Sequence, residues 1–453
     1  MGLSIRVGRI VRSPNLALMS LTLRKTYPMK TTLLFRRGLA FWQLLAALTL
    51  TGGAAFAAPT VFNSYNIDSD ILGVAHDTDP LLINPWGLTT GVEGNLRVSD
   101  DGTGFSTIYG QEGALLSNTS GMLSTHSIAI PQSMVTTGTT GSPTGVDVNL
   151  NSLLDPTLAT DFPITDGTTS SSHYLYCTED GAVEGYRDTV NLDSAIIGND
   201  QSTAGAGYTG IALSWVFTSS TTPLAHQLYA ANFAKGKIDV FNSSWGLVAL
   251  TGSDTFTDPS PPNVPSSAPV GSSWSPFNIH RVDYVSGKGK SERRLLVVYA
   301  LHNAVTAPLN DIPGAGYGYA DLFDPDGAFV MRFINANKDL NSPWGIAVAH
   351  GDLGKFKAPL VIFVGNHGDG GIHAYAFDPK FSDLDIELGT LKNDEGNALA
   401  FDGLWALHFG THKITFKEYM ADPSDLTEDR DKFFFSAGIV GETHGLVGRI
   451  YIP

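Results

Sequence analysis

Glu442 and His444 stand two residues apart in the run Glu442-Thr-His-Gly-Leu446. That spacing puts both side chains on one side of an extended segment. A carboxylate beside an imidazole can anchor a cation, or act as a base and donor near neutral pH, since His titrates at about 6.5. Carboxylates and amides recur at what read as strand ends: Asp100, Asn232, Asn366 and Asp402, with Asn84, Asp101, Asp166, Asn278, Asn341, His367 and Asp369 in similar places. Hard oxygen donors of this kind suit Ca²⁺, and a calcium site from Asp100, Asn232, Asn366 and Glu442 is one reading. A bound Ca²⁺ could polarise an ester or lactone carbonyl, with His444 or Glu442 as general base. The competing reading is structural, because Asp and Asn at strand ends hold turns through side-chain-to-backbone bonds. Glu442 and His444 are the two that turn chemistry explains least. The chain has no G-x-S-x-G, H-E-x-x-H or C-x-x-C, so it lacks the serine elbow, the zinc-protease helix and the dithiol motif. Gly102-Thr-Gly104 has no helix pattern after it, which argues against a phosphate loop.

These residues need a scaffold, and a recurring phrase supplies it. It reads Asn-Pro-Trp-Gly-Leu at 84–88, Pro-Thr-Gly-Val at 143–146, Tyr-Thr-Gly-Ile-Ala-Leu at 208–213, Ser-Pro-Phe-Asn-Ile at 275–279, Ser-Pro-Trp-Gly-Ile-Ala at 342–347 and Asp-Gly-Leu-Trp-Ala-Leu at 402–407. Aligned on Gly87, Gly145, Gly210, Asn278, Gly345 and Gly403, the steps are 58, 65, 68, 67 and 58 residues. Repetition at this spacing marks an array of small sheets, whose natural unit is a propeller blade. Each phrase opens a strand of small residues. An aliphatic strand follows, such as 95–100, 227–232, 360–366 or 432–437, and then an alternating one, such as 237–241, 319–323 or 372–377. The expected fold is all-β, a six-bladed β-propeller. The last copy supplies only three strands, so residues 60–67 are expected to close the ring as its fourth. Trp86, Trp344 and Trp405 fall at equivalent places and read as core. The starts of first strands and the ends of second strands share one face, so the polar residues above should gather at one channel mouth.

The chain has 453 residues, enough for one large domain. Its 28 basic and 44 acidic residues give −16, and the first 57 residues hold eight of the bases and no acid, leaving 20 − 44 = −24. So acidic a body should repel nucleic acid. The single cysteine, Cys177, excludes an intramolecular disulfide and reads as core. Residues 1–57 read as a signal peptide: a basic run from Lys30 to Arg37, an apolar stretch over 39–50, and Ala55-Phe-Ala57 before cleavage at Ala58. Met29 makes a better start than Met1. No second apolar segment follows, so no integral membrane segment is expected after cleavage. The mature protein is expected to be periplasmic or extracellular, with residues 58–453 as one domain. Residues 254–273 and 414–431 interrupt their blades and read as surface loops.

The motifs Ser99-Asp-Asp-Gly-Thr-Gly104, Cys177-Thr-Glu-Asp-Gly181, 231–241 (Ala-Asn-Phe-Ala-Lys-Gly-Lys-Ile-Asp-Val-Phe), Gly365-Asn-His-Gly-Asp-Gly370, Asp402–Leu407 and Glu442–Leu446 resemble an uncharacterised family of secreted, mainly bacterial six-bladed propellers. The likeness spans about residues 60–452. Asp101 and Cys177 depart from the family pattern, which has Asn and Ala there. The resemblance implies the fold and export, and no activity. Lactonase-like propellers use a channel calcium, but their ligand motif has no residue-by-residue counterpart here. The expected role is a ligand-binding or protein-interaction module, with a small molecule or protein at the channel mouth. The alternatives are a Ca²⁺-dependent lactone or ester hydrolase and a structural envelope component.

Overall fold

The computed structural model describes residues 61–91, 94–112, 114, 126–135, 138–150, 152, 161–216, 225–285, 291–336, 339–378, 386–411 and 428–452. The signal-peptide reading of residues 1–57 lies outside them. Residues 58–453 form one compact unit, and its strands make six radial sheets.

Blade 1 is Pro85–Thr90, Leu96–Asp100, Phe105–Tyr109 and Ser127–Ala129. Blade 2 is Pro143–Val148, Tyr174–Thr178, Ala182–Tyr186 and Ile196–Asp200. Blade 3 has three strands, Tyr208–Val216, Ala225–Asn232 and Lys237–Asn242. Blade 4 is Ser273–Val285, Ser291–Asn303, Gly318–Phe323 and Phe329–Ile334. Blade 5 is Pro343–His350, Leu360–Asn366, Ile372–Phe377 and Glu387–Thr390. Blade 6 is Leu404–Thr411, Glu428–Ala437 and Leu446–Tyr451. Its outer place is taken by Asn63–Ser69, antiparallel to Leu446–Tyr451, with Asn63 opposite Tyr451 and Ser69 opposite Leu446. The start of the described chain thus covers the edge that three strands would expose.

The repeat phrase is the inner strand, and each inner strand touches the next around the ring. Its glycine is dictated by that approach. A Cβ on Gly87 would lie 2.4 Å from Thr144 O, and one on Gly345 would lie 2.6 Å from Trp405 O. In blade 6 the tryptophan register makes Ala406 the equivalent of Gly345. Gly403 instead sits in the preceding turn at φ 61°, so an alignment on Gly403 is three residues out.

Blade stacking explains the long apolar runs. In Leu360–Asn366, Val361 and Phe363 enter the core between blades 5 and 6, while Leu360, Ile362 and Val364 enter the core between blades 4 and 5. A strand buried on both faces loses the polar half of its alternation. Residues 254–273 lie against blades 3 and 4 rather than hanging free. Phe256 is buried against Tyr229, and Trp274 Nε1 donates to Pro262 O at 2.8 Å. Of the second interruption, 412–427 lies outside the described residues, and Glu428–Ala437 is a strand of blade 6. Cys177 is fully buried, and burial pushes its thiol up to about 12.

The channel centre is filled. Trp86 and Trp405 stack with centroids 3.6 Å apart, Trp344 meets them edge-on at 6.1 and 5.7 Å, and Phe277 meets them edge-on at 6.5 and 5.9 Å. Rings from blades 1, 4, 5 and 6 therefore form a plug between the two ends of the channel.

Candidate functional site at the channel mouth

The strand-end residues expected to gather at one mouth separate into two sets. The first set is structural. Asp100 is fully buried, accepts from Thr107 Oγ1 at 2.8 Å, and is pushed well above the usual carboxylate range by burial. Asn232 accepts from Gly207 N at 3.2 Å and donates to Asp239 Oδ2 at 2.6 Å. Asn366 accepts from Asn341 N at 3.1 Å and donates to Asp339 O at 2.7 Å. These three occupy matching positions opposite the start of their inner strands; Asn232 and Asn366 bind the turn before their inner strand, and Asp100 binds the third strand of its blade. Three of the four residues of the expected calcium set, Asp100, Asn232 and Asn366, thus already have protein hydrogen-bond partners. Among the described residues no group of three or more His, Cys, Asp or Glu is arranged to hold a metal ion.

Asp402 Oδ2 accepts from Val440 N at 2.8 Å and so braces a turn. That turn corrects the expectation for Glu442 and His444. The segment is not extended, because Val440, Gly441 and Glu442 all adopt left-handed φ, at 57°, 63° and 65°. Two of the three are not glycine, a costly backbone that persists only where the surroundings impose it. The two side chains consequently part. His444 Nδ1 lies 2.6 Å from Asp70 Oδ2, and Asp70 Oδ1 accepts from Gly445 N at 2.8 Å. His444 thus ties blade 6 to the turn after its outer strand. Glu442 Oε1 instead lies 2.9 Å from His367 Nε2.

His367 is the centre of the second set. Its Nδ1 lies 3.3 Å from Asp311 Oδ2, and its ring stacks on Trp405 with centroids 3.9 Å apart and planes 14° apart. Burial would lower this imidazole, but the bonds and charges of Asp311 and Glu442 outweigh it and lift it to about 9. His367 is therefore a cation at neutral pH, clamped between two carboxylates on the outer face of the plug. Asn84 adjoins it: its Oδ1 accepts from Trp405 Nε1 at 3.0 Å, and its Nδ2 donates to Asp101 Oδ2 at 3.1 Å.

Further carboxylates meet Glu442 from blades 1 and 2. Asp101 is pushed up to about 7 by burial and then by the charges of Glu442 and Asp180. Glu179 is held well above its usual range by burial, then by Asp101, Glu442 and Asp180. Asp166 does not take part. It ends the first strand of a side hairpin, Pro163–Asp166 with Thr168–Ser171, and accepts from Asn191 there. The second strand of blade 2 ends at Thr178, so Glu179 and Asp180 hold the place expected for Asp166. The role of His367, named among the strand ends, depends on two distant carboxylates that no spacing reveals.

On the other side of the plug lies a cavity of about 170 Å³. It is lined by inner-strand residues, among them Thr90, Asp147, His280, Arg281, Trp344 and His408. None of these was among the strand-end residues expected at a channel mouth. The signal was a polar residue two places after the repeat Gly or its equivalent, at Thr89, Asp147, His280 and, in the tryptophan register, His408.

No known family profile matches the chain. It is 31% identical over 392 residues to the uncharacterized protein R648 of Acanthamoeba polyphaga mimivirus, covering 85% of this chain and 79% of that one. It is 28% identical over 395 residues to the uncharacterized protein L690 of the same virus, covering 85% and 84%. These relatives are viral, which corrects the bacterial setting implied by the motif resemblance. Among solved structures, a Bacteroides thetaiotaomicron protein of unknown function aligns with TM-score 0.43 and 9% identity, covering 87% of this chain and 76% of that one. Virginiamycin B lyase from Staphylococcus aureus aligns with TM-score 0.40 and 9% identity, covering 86% and 100%. Neither likeness bears on activity.

Proposed function

The chain belongs to the family of the uncharacterised mimivirus protein R648, and we propose that it is a binding module whose channel mouth takes an organic cation, an ammonium or guanidinium group, beside Glu442. The observation that carries this reading is the crowding of carboxylates at the mouth: after burial, the charges of Glu442 and Asp180 raise Asp101 and Glu179. A like charge that raises a neighbouring carboxyl's pKa is offset by an arriving cation. His367 supplies a positive charge at one side of the set, bound to Asp311 and Glu442. A guanidinium can bond several carboxylates in one plane, whereas Ca²⁺ needs a close shell of six or more oxygens. Calcium, and hydrolysis assisted by it, draw less support. The imidazole of His367 is protonated, and that of His444 is bound to Asp70. A thermal-shift panel of argininamide, CaCl₂ and sodium acetate tests the class. Stabilisation by argininamide alone supports it; stabilisation by calcium alone returns the metal reading.

Export is inferred from residues 1–57 only. Among the described residues no helix is long and apolar enough to cross a membrane. Mass spectrometry of the exported protein should find Ala58, or a residue within about two of it, at the N-terminus. A full-length product would refute cleavage.

A further inference from the structure

The cavity beneath the plug is a second place where the fold leaves hydrogen-bonding groups facing space. His280 comes from the inner strand of blade 4 and His408 from that of blade 6. His408 Nε2 lies 3.0 Å from Thr90 Oγ1, which fixes its ring. The His280 ring makes no hydrogen bond among the described residues, although it lines the cavity. The ring is half-buried, so its donor and acceptor face the cavity and are open to a partner there. We infer that this half of the channel is a binding site for a compact, uncharged, single-ring molecule bearing one hydroxyl or carbonyl, which His280 and His408 meet by hydrogen bonds.

Three features fix the class. Size comes first: about 170 Å³ is close to the ~150 Å³ cavity that accommodates benzene in another protein. Charge comes second. Arg281 donates to Asp283 at 3.0 Å and to Leu213 O at 3.2 Å. Asp147 accepts from Leu213 N and from Val148 N, both at 2.7 Å. The charged side chains lining the space are thus bonded within the protein. Burial lowers His280 to about 3 and His408 to about 4, with Arg281 and the other histidine adding to the effect on His280. Both rings are neutral at pH 7, so neither offers a charge to pair with an ionic guest. Shape comes third: Trp344, Ile346, Val348 and Leu407 give the cavity apolar walls for a flat ring.

The test is a calorimetric titration with phenol, benzoate and benzylammonium of the wild type, His280→Leu, His280→Gln and Glu442→Gln. Phenol should bind the wild type and Glu442→Gln equally, lose roughly tenfold in affinity in His280→Leu, and recover in part in His280→Gln. Benzoate should not bind, and any benzylammonium binding should vanish in Glu442→Gln, which places it at the opposite mouth. The inference is overturned if phenol fails to bind the wild type. It is also overturned if phenol binds a folded His280→Leu unchanged, or if benzoate binds as well as phenol. Circular dichroism melts establish that each variant is folded, and if His280→Leu is not, His280→Gln against the wild type decides. The proposal for the acidic mouth stands or falls separately.

Discussion

Glu442 combines a left-handed backbone, a half-exposed carboxylate and a bond to a protonated histidine. Removing its charge should act first on His367, whose imidazole stands at about 9 because Asp311 and Glu442 outweigh burial. An NMR titration should find the His367 pKa lower in Glu442→Gln than in the wild type; an unchanged value would mean that Asp311 alone sets it. The same shift is a stability statement. A histidine raised from about 6.5 contributes stability that is complete below that pH and is lost as pH rises through about 9. The wild type should therefore lose more melting temperature between pH 7 and 10 than Glu442→Gln does, and parallel curves would refute the linkage. Trp344 tests the plug. It is 4% exposed, and its Nε1 donates to Thr209 O at 2.9 Å. Trp344→Ala should cost about 3–5 kcal/mol in denaturant unfolding; an unchanged midpoint would remove the plug from the core.

At the scale of elements, the account rests on how strands close the ring and how one turn aims its side chains. Removing residues 58–68 should uncover the edge of Leu446–Tyr451 and cause aggregation or loss of cooperative melting. A truncated chain that melts like the parent would refute closure. Strand order was readable in the sequence because Gly-rich inner strands, apolar second strands and alternating third strands each carry their own composition, and Leu360–Asn366 and Ile372–Phe377 occur as expected. The closing strand followed from counting. The turn Ile439–Glu442 was not readable. Its left-handed residues are imposed by tertiary contacts, among them the Asp402 bond to Val440 N, and nothing local in Ile-Val-Gly-Glu encodes them. The period-two argument for Glu442 and His444 failed there, and with it their convergence.

The propeller is a ring whose channel is divided by aromatic rings into an acidic mouth and a neutral cavity. Which mouth would carry acids was legible from the strand-end rule, and the acidity was legible from composition. That Asn232 and Asn366 serve turns and Asp100 binds the third strand of its blade, while Asp101 and Glu179 feel the charge of Glu442, depends on tertiary contacts that spacing does not encode. The central claim is that this mouth receives an organic cation, and pH-dependent calorimetry tests it most directly. Argininamide is titrated into the wild type and Glu442→Gln at pH 6 and pH 8. Asp101, faced by Glu442, Asp180, Glu179 and Asn84, stands at about 7, so a bound cation should displace its proton. Wild-type affinity should rise between the two pH values by up to about tenfold, the limit for one proton released, and Glu442→Gln should bind more weakly at both. No binding by the wild type, or binding that neither the pH nor the Glu442 substitution changes, would contradict the account.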